Sequence, residues 1–116
     1  MSDGPGLERG DRVRDVAGRR KRRVGLVQIN NSFSHQNYLP CSVGLIQAYA
    51  QRHLTRPDEY EFLLPVYRRV PVEEAVDKLM GADIVLFSTY VWNIRISLEV
   101  ARTLKERAPE TVVVFG

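Results

Sequence analysis

Polar and aromatic side chains with binding potential follow one short apolar segment of the chain. Residues 84–87 (IVLF) have β-forming side chains, and directly after them come Ser88, Thr89, Tyr90, Trp92 and Asn93. The two aromatic rings offer broad flat surfaces, and the other three side chains supply hydrogen-bond donors and acceptors. This combination favours a large, partly planar ligand. The sequence leaves open the alternative that Tyr90 and Trp92 are core aromatics beneath a loop.

A second polar and aromatic segment, residues 30–40 (NNSFSHQNYLP), follows a predicted strand at residues 24–29. Open parallel α/β sheets bind ligands at the carboxyl ends of their strands, so we expect the two segments to lie together. Gly116 follows a fourth predicted strand, and a glycine there permits close approach of a ligand to the backbone. The predicted binding residues are Asn30, Asn31, Tyr38, Leu39, Pro40, Ser88, Thr89, Tyr90, Trp92, Asn93 and Gly116.

Four predicted strands alternate with three predicted helices. The strands are residues 24–29, 60–66, 84–87 and 111–115, and the helices begin near residues 40–42, at Pro71 and at Ile94. Ser42 is expected to cap the first helix. Short apolar runs are typical of strands covered on both faces. Together with the alternating order, they predict an α/β fold with a doubly wound parallel sheet, Rossmann-like or flavodoxin-like.

The commonest small version of this fold has the strand order 2-1-3-4-5, and here we expect it to be truncated after the fourth strand. Right-handed crossovers place the first helix on one face of the sheet and the other two helices on the opposite face. The first-helix side of the third and fourth strands is then expected to lack cover. We therefore expect these 116 residues alone to be poorly soluble or to depend on further sequence.

The positive charge is concentrated at the amino terminus. Residues 1–23 hold eight Arg or Lys against four acidic residues, which leaves nine basic and ten acidic residues from position 24 onward. Residues 1–22 have too few apolar side chains to bury a face, and we interpret them as a disordered basic leader. No aromatic residue is interleaved with the basic run at residues 19–23, so we do not expect a nucleic-acid partner.

The single cysteine restricts the chemistry of the chain. Cys41 alone excludes an internal disulfide and a cysteine-based iron–sulfur or zinc cluster within these residues. With no convincing His or acidic partner, it is not expected to act as a nucleophile. Neither a signal-peptide segment nor an apolar run long enough to span a membrane is present, so we expect a cytoplasmic protein without a membrane partner.

Residues 23–116 resemble the N-terminal cobalamin-binding domain of the B12-dependent radical SAM enzymes. In the first loop the resemblance is carried by Tyr38, Leu39 and Pro40, followed by Gly44 and Leu45 at the start of a helix. The third strand ends in a loop that bears a serine, aromatic residues and an asparagine, matched by Ser88, Tyr90, Trp92 and Asn93. The fourth strand ends in Phe115 and Gly116, which match the start of a Phe-Gly-Gly pattern.

The resemblance implies that two domains of the parent chain have separate roles. This domain binds cobalamin, with Tyr38, Leu39 and Trp92 covering the corrin face and with Asn30, Ser88, Thr89 and Asn93 bonding its polar arms. A C-terminal radical SAM domain of the parent chain holds a [4Fe-4S] cluster and S-adenosylmethionine. The chain is then a cofactor-binding module for methyl transfer or radical rearrangement and is not catalytic alone.

Three alternatives stay open at this point. Other B12 proteins ligate cobalt through an Asp-x-His-x-x-Gly motif, which is absent around His35, so His35 is expected to be a polar residue at the rim of the site. A flavodoxin-like domain that binds FMN or another nucleotide would need a phosphate-cradling loop, but residues 30–40 contain no glycine. A receiver-like interaction domain would need acidic residues in the two loops, and neither loop contains one.

Overall fold

The computed structural model describes residues 18–34 and 36–116, apart from the side chain of Phe33. Residues 1–17 of the predicted leader lie outside the described residues, and so does His35. The role of the leader and the boundary between it and the domain therefore stay predictions.

Four parallel strands form the central sheet. They are β1 at Arg22–Val27, β4 at Tyr60–Phe62, β5 at Ile84–Phe87 and β6 at Val112–Phe115. Their order across the sheet is β4-β1-β5-β6. β1 and β5 are the inner strands, and β4 and β6 flank them. The predicted doubly wound α/β fold is confirmed, together with the predicted order of its first four main strands.

Three helices cover the sheet at the predicted positions. They are α1 at Cys41–His53, α2 at Val72–Leu79 and α3 at Ile94–Arg107. The buried residues of α2 and α3 share one core cluster with strand residues, whereas α1 contributes Val43 to a separate cluster with Val24 and Leu26. As predicted, α1 and the α2–α3 pair lie on opposite faces of the sheet. No helix in the described part of the chain is both long and apolar enough to cross a membrane.

The bounds of three strands differ from the prediction, and those of β6 do so by a single residue, since it begins at Val112. β1 begins at Arg22 and ends at Val27, and the segment after it stays bonded to its neighbour because the N–H of Gln28 donates to the carbonyl of Val66. β4 ends at Phe62, short of Pro65, which has no N–H to continue a ladder. The chain then rejoins the sheet at Val66, which pairs with Val27 as an isolated parallel bridge.

The segment after β1 contains a small hairpin that the sequence did not predict. β2 at Ser32–Phe33 pairs antiparallel with β3 at Gln36–Asn37. Ser34, at the turn, has φ 51°, in the left-handed region that non-glycine residues visit infrequently. The polar segment at residues 30–40 is therefore partly ordered by its own pairing.

The two faces of the sheet are covered unequally. The α2–α3 face carries the larger core, with Val27, Ile29, Val66, Ala75, Val76, Leu79, Ala82, Val85, Phe87, Val100, Ala101, Leu104 and Ala108. On the α1 side of β6, Val112 and Val114 remain 53% and 46% exposed. The prediction that the first-helix side lacks cover therefore holds for the last strand. On β5, by contrast, Leu86 packs against the cluster that contains Val43 of α1 and is half-buried.

Candidate functional site

Hydrogen bonds join the segments that follow β1, β5 and β6 at one edge of the sheet. The N–H of Ser88 donates to the carbonyl of Val27 at 2.8 Å. Thr89 donates to the carbonyl of Gly116 from its N–H at 2.8 Å and from its Oγ1 at 2.9 Å. The structure therefore brings together the carboxyl ends of these three strands, where the sequence predicted a site.

An open cleft of about 440 Å³ lies at this edge. Its lining residues are Gln28, Asn30, Asn31, Tyr38, Leu39, Tyr90 and Trp92. All of them except Gln28 belong to the predicted binding residues. The predicted residues that do not line the cleft are Pro40, Ser88, Thr89, Asn93 and Gly116.

Tyr90, which is half-buried, and Trp92 form an aromatic stack. Their ring centroids are 4.6 Å apart with an interplanar angle of 3°. Trp92 is 49% exposed, so the interpretation of this residue as a core aromatic is wrong. The carbonyl of Trp92 accepts a hydrogen bond from the guanidinium of Arg69 at 2.7 Å, which helps to hold the loop in place. The stack offers the flat surface that the sequence suggested for a planar ligand.

The Tyr90 hydroxyl ties the aromatic stack to α1. It lies 2.6 Å from Oγ of Ser42. Hydrogen bonding by Ser42, and then by Ser88, lowers the pKa of the Tyr90 phenol below its ordinary value because both bonds favour the phenolate. The hydroxyl of Ser42 is thus engaged with the stack.

The predicted capping of α1 by Ser42 is wrong. The N-cap residue is Pro40, and the Ser42 side chain makes no capping bond. Instead, Oε1 of Gln28 accepts hydrogen bonds from the backbone N–H of Ser42 at 2.9 Å and of Val43 at 3.2 Å. A side chain from the end of β1 therefore satisfies the first turn of α1. No local sequence signal marks this role, because the bonds join residues fourteen and fifteen positions apart.

Asn93 is buried and bonded to backbone groups on both sides of the site. Its Oδ1 accepts from the N–H of Tyr90 at 2.7 Å. Its Nδ2 donates to the carbonyl of Ile29 at 3.0 Å and to that of Ser88 at 3.1 Å. With both amide hydrogens engaged, Asn93 positions the loop after β5, and its predicted contact with a ligand stays untested.

Asn30 is held by backbone groups of its own loop and of the segment after β4. Its N–H donates to the carbonyl of Tyr67 at 3.1 Å. Its Nδ2 donates to the carbonyls of Tyr38 and Leu39, each at 3.4 Å. Asn30 thereby keeps Tyr38 and Leu39, which are 58% and 71% exposed, beside the cleft.

Cys41 and Gly116, which the sequence analysis considered, do not line the cleft. Cys41 is an exposed free cysteine at the start of α1. A Cβ placed on Gly116 would meet nothing within 4 Å, so no close protein contact requires glycine there. Across residues 18–34 and 36–116, no group of three or more His, Cys, Asp or Glu side chains is arranged to hold a metal ion.

A larger groove of about 760 Å³ runs along residues 61–68 and Lys78. It follows the edge strand β4 and the segment leading to Val66. We place the candidate site at the smaller cleft instead, because the aromatic stack and the polar loops converge there.

Two known proteins are similar to the chain, whereas no protein-family model matches it. Over 97 residues, 84% of its length, the chain is 36% identical to the cobalamin-dependent radical SAM methyltransferase TokK of Streptomyces tokunonensis. The chain is related to this methyltransferase. Over 79 residues, 68% of its length, it is 37% identical to the 2-(S-pantetheinyl)-carbapenam-3-carboxylate methyltransferase of Streptantibioticus cattleyicolor. It spans only 14% and 12% of the lengths of these two relatives.

Proposed function

We propose that residues 23–116 form a cobalamin-binding module, or part of one, in a B12-dependent radical SAM enzyme. The observation that carries the proposal is the 36% identity over 97 residues to a protein named as a cobalamin-dependent radical SAM methyltransferase. The cleft at the carboxyl ends of β1 and β5 supports it, because six of the residues predicted to bind the cofactor meet there: Asn30, Asn31, Tyr38, Leu39, Tyr90 and Trp92.

The lining of the cleft fits part of a corrin ring system. Tyr38, Leu39 and Trp92 are exposed, and each 100 Å² of apolar ring surface that they cover would contribute roughly 2.5 kcal/mol. The carboxamides of Gln28, Asn30 and Asn31 supply polar groups for its side arms. A cleft of about 440 Å³ is smaller than cobalamin, so the remainder of the cofactor would lie on adjoining surface. Bound cobalamin supplies a cobalt centre that carries a methyl group or assists a radical step.

The reaction requires groups that these residues do not provide. A [4Fe-4S] cluster on three cysteines and S-adenosylmethionine belong to a C-terminal radical SAM domain of the parent chain, and this chain contains one cysteine. Residues 23–116 bind the cofactor and orient it towards that domain. The cytoplasmic location and the lack of a nucleic-acid partner stay predictions.

The test is retention of a corrin after desalting. Purified protein is incubated with hydroxocobalamin or, in parallel, with FMN, and the visible spectrum is recorded after gel filtration. We expect corrin absorbance to be retained and FMN to be lost. Retention of FMN without corrin would favour the flavodoxin-like alternative and contradict the proposal.

Two variants test whether the corrin binds in the cleft. Replacing both Trp92 and Ser88 by alanine should weaken hydroxocobalamin binding by about tenfold or more, because a stacking surface and a polar loop group are removed. Tyr49→Ala is the matched control, since Tyr49 is an aromatic residue of α1, 68% exposed and absent from the cleft lining. If the double variant retains cobalamin as the wild type does, the cleft is not the binding site.

A further inference from the structure

Two carboxamide side chains lie deep in the lining of the cleft. Gln28 and Asn30 are each only 6% exposed, yet both line it. They are two positions apart on the extended segment that leaves β1. In the described residues neither side chain has a fully buried atom without a partner, so the atoms that no protein group bonds remain reachable from the cleft and indicate what it takes.

The oxygen of Gln28 is engaged, and its nitrogen is not. Only an oxygen can accept from the N–H groups of both Ser42 and Val43, so those bonds establish that Oε1 points to α1. Nε2 is then the part of the carboxamide left to face the cleft. Within the described ranges, 18–34 and 36–116, nothing accepts a hydrogen bond from it. Gln28 therefore presents a donor to a ligand.

Asn30 has the reverse arrangement. Its Nδ2 donates to the carbonyls of Tyr38 and Leu39, which requires that Oδ1 point away from that loop backbone. In the part of the chain that the structure describes, no group donates to Oδ1. Asn30 therefore presents an acceptor to the same cleft.

The cleft is poorly suited to an anion. None of its lining residues is charged. The N–H groups of Ser42 and Val43, which would otherwise face a phosphate at the start of a helix, are occupied by Gln28. An anion bound in this cleft would lose part of its hydration without gaining a cationic partner from the lining.

We propose that Gln28 Nε2 and Asn30 Oδ1 form a donor–acceptor pair that recognises a neutral primary carboxamide. The carbonyl of the ligand accepts from Gln28, and its NH₂ group donates to Asn30. The inference rests on the proposed function, since a corrin carries primary carboxamides on its side arms. It assigns a specificity role to Gln28, a residue that sequence reasoning missed, and it excludes phosphate from this part of the cleft.

Gln28→Glu separates ligand recognition from folding. One carboxylate oxygen still accepts from Ser42 and Val43, while the other replaces the donor that faces the cleft. We expect the thermal midpoint to stay close to the wild-type value and the Kd for hydroxocobalamin to rise about tenfold or more. Lowering the pH until the introduced carboxyl is protonated restores an O–H donor and should recover part of the affinity. Gln51→Glu, the same change at an exposed position of α1, should leave the Kd unchanged.

A ligand-side measurement needs no variant. Hydroxocobalamin is compared with its monocarboxylate derivatives, in each of which one side-arm carboxamide has been hydrolysed. At least one derivative should bind the wild type about tenfold more weakly, because a carboxylate cannot donate to Asn30 and is repelled by its oxygen.

The outcomes separate the two proposals. If the wild type binds hydroxocobalamin but all the monocarboxylates bind equally well and Gln28→Glu has no effect, the inference is overturned and the proposed function stands. If the wild type does not retain hydroxocobalamin, the proposed function fails, and the inference fails with it.

Discussion

At the scale of single residues, Asn93 joins three backbone groups through one buried side chain. It bonds Tyr90 and Ser88 in the loop after β5 and Ile29 at the end of β1. Its replacement would leave these groups without partners in a site where water has limited access. The position of the aromatic stack therefore depends on a residue that does not line the cleft.

We predict that Asn93→Ala lowers the free energy of unfolding by roughly 2–3 kcal/mol, since buried donors and acceptors lose their partners. Chemical denaturation measures the change. Asn37→Ala is the control, because Asn37 is exposed in β3, and its effect should stay within about 0.5 kcal/mol. Equal stability of both variants would show that Asn93 is not a structural anchor.

At the scale of elements, α2 packs directly on the backbone of β1. A Cβ added to Gly25 would lie 2.9 Å from Cδ2 of Leu79 in α2 and 3.2 Å from Cγ2 of Val85 in β5. Both distances are shorter than ordinary van der Waals contact. The close approach of helix and strand therefore favours glycine at position 25, since a Cβ there would require the ends of the Leu79 and Val85 side chains to move.

Two glycine substitutions test this packing. Gly25→Ala should lower the free energy of unfolding by roughly 1–3 kcal/mol, because Leu79 and Val85 must move. Gly44→Ala, in α1, should have no cost or should stabilise by up to about 1 kcal/mol, since a Cβ there meets nothing within 4 Å and alanine favours the helix. Thermal and chemical unfolding measure the stabilities of both variants. A Gly44→Ala variant that is less stable than the Gly25→Ala variant would contradict the packing.

At the scale of the whole molecule, the sheet has one well-covered face and one partly open face. The α1 side has a small core, and several large apolar side chains remain exposed around it. Among them are Leu45, Tyr49, Val112 and Val114. Apolar side chains on an edge strand favour association with another surface.

We predict that the purified chain associates with rising concentration, as measured by analytical ultracentrifugation. Replacing Val112 and Val114 together by lysine should reduce this association, because charge on an edge strand opposes strand pairing. Leu64→Lys is the control: Leu64 is 90% exposed but lies by β4, so its replacement should have little effect. A monodisperse wild-type monomer that melts cooperatively at high concentration would contradict the prediction.

Local patterns in the sequence predicted the main strands and helices but not the β2–β3 hairpin. Short apolar runs predicted β5 and β6, and the three helix starts near residues 40–42, at Pro71 and at Ile94 were predicted as well, because each signal depends on neighbouring residues. The alternation of these elements predicted a parallel sheet, which the structure confirms. It also predicted a site at the carboxyl edge of that sheet, where the structure has the cleft.

Only the tertiary structure decided what each polar side chain at that edge does. Gln28 and Asn93 are ordinary amides in the sequence, yet one caps a helix fourteen residues away and the other bonds a carbonyl 64 positions distant. The exposure of Trp92 likewise depends on how the loop after β5 is held by groups from elsewhere in the chain, among them Arg69. Hydrogen bonds between distant segments leave no periodic trace in a sequence, because the chain fold alone brings their partners together.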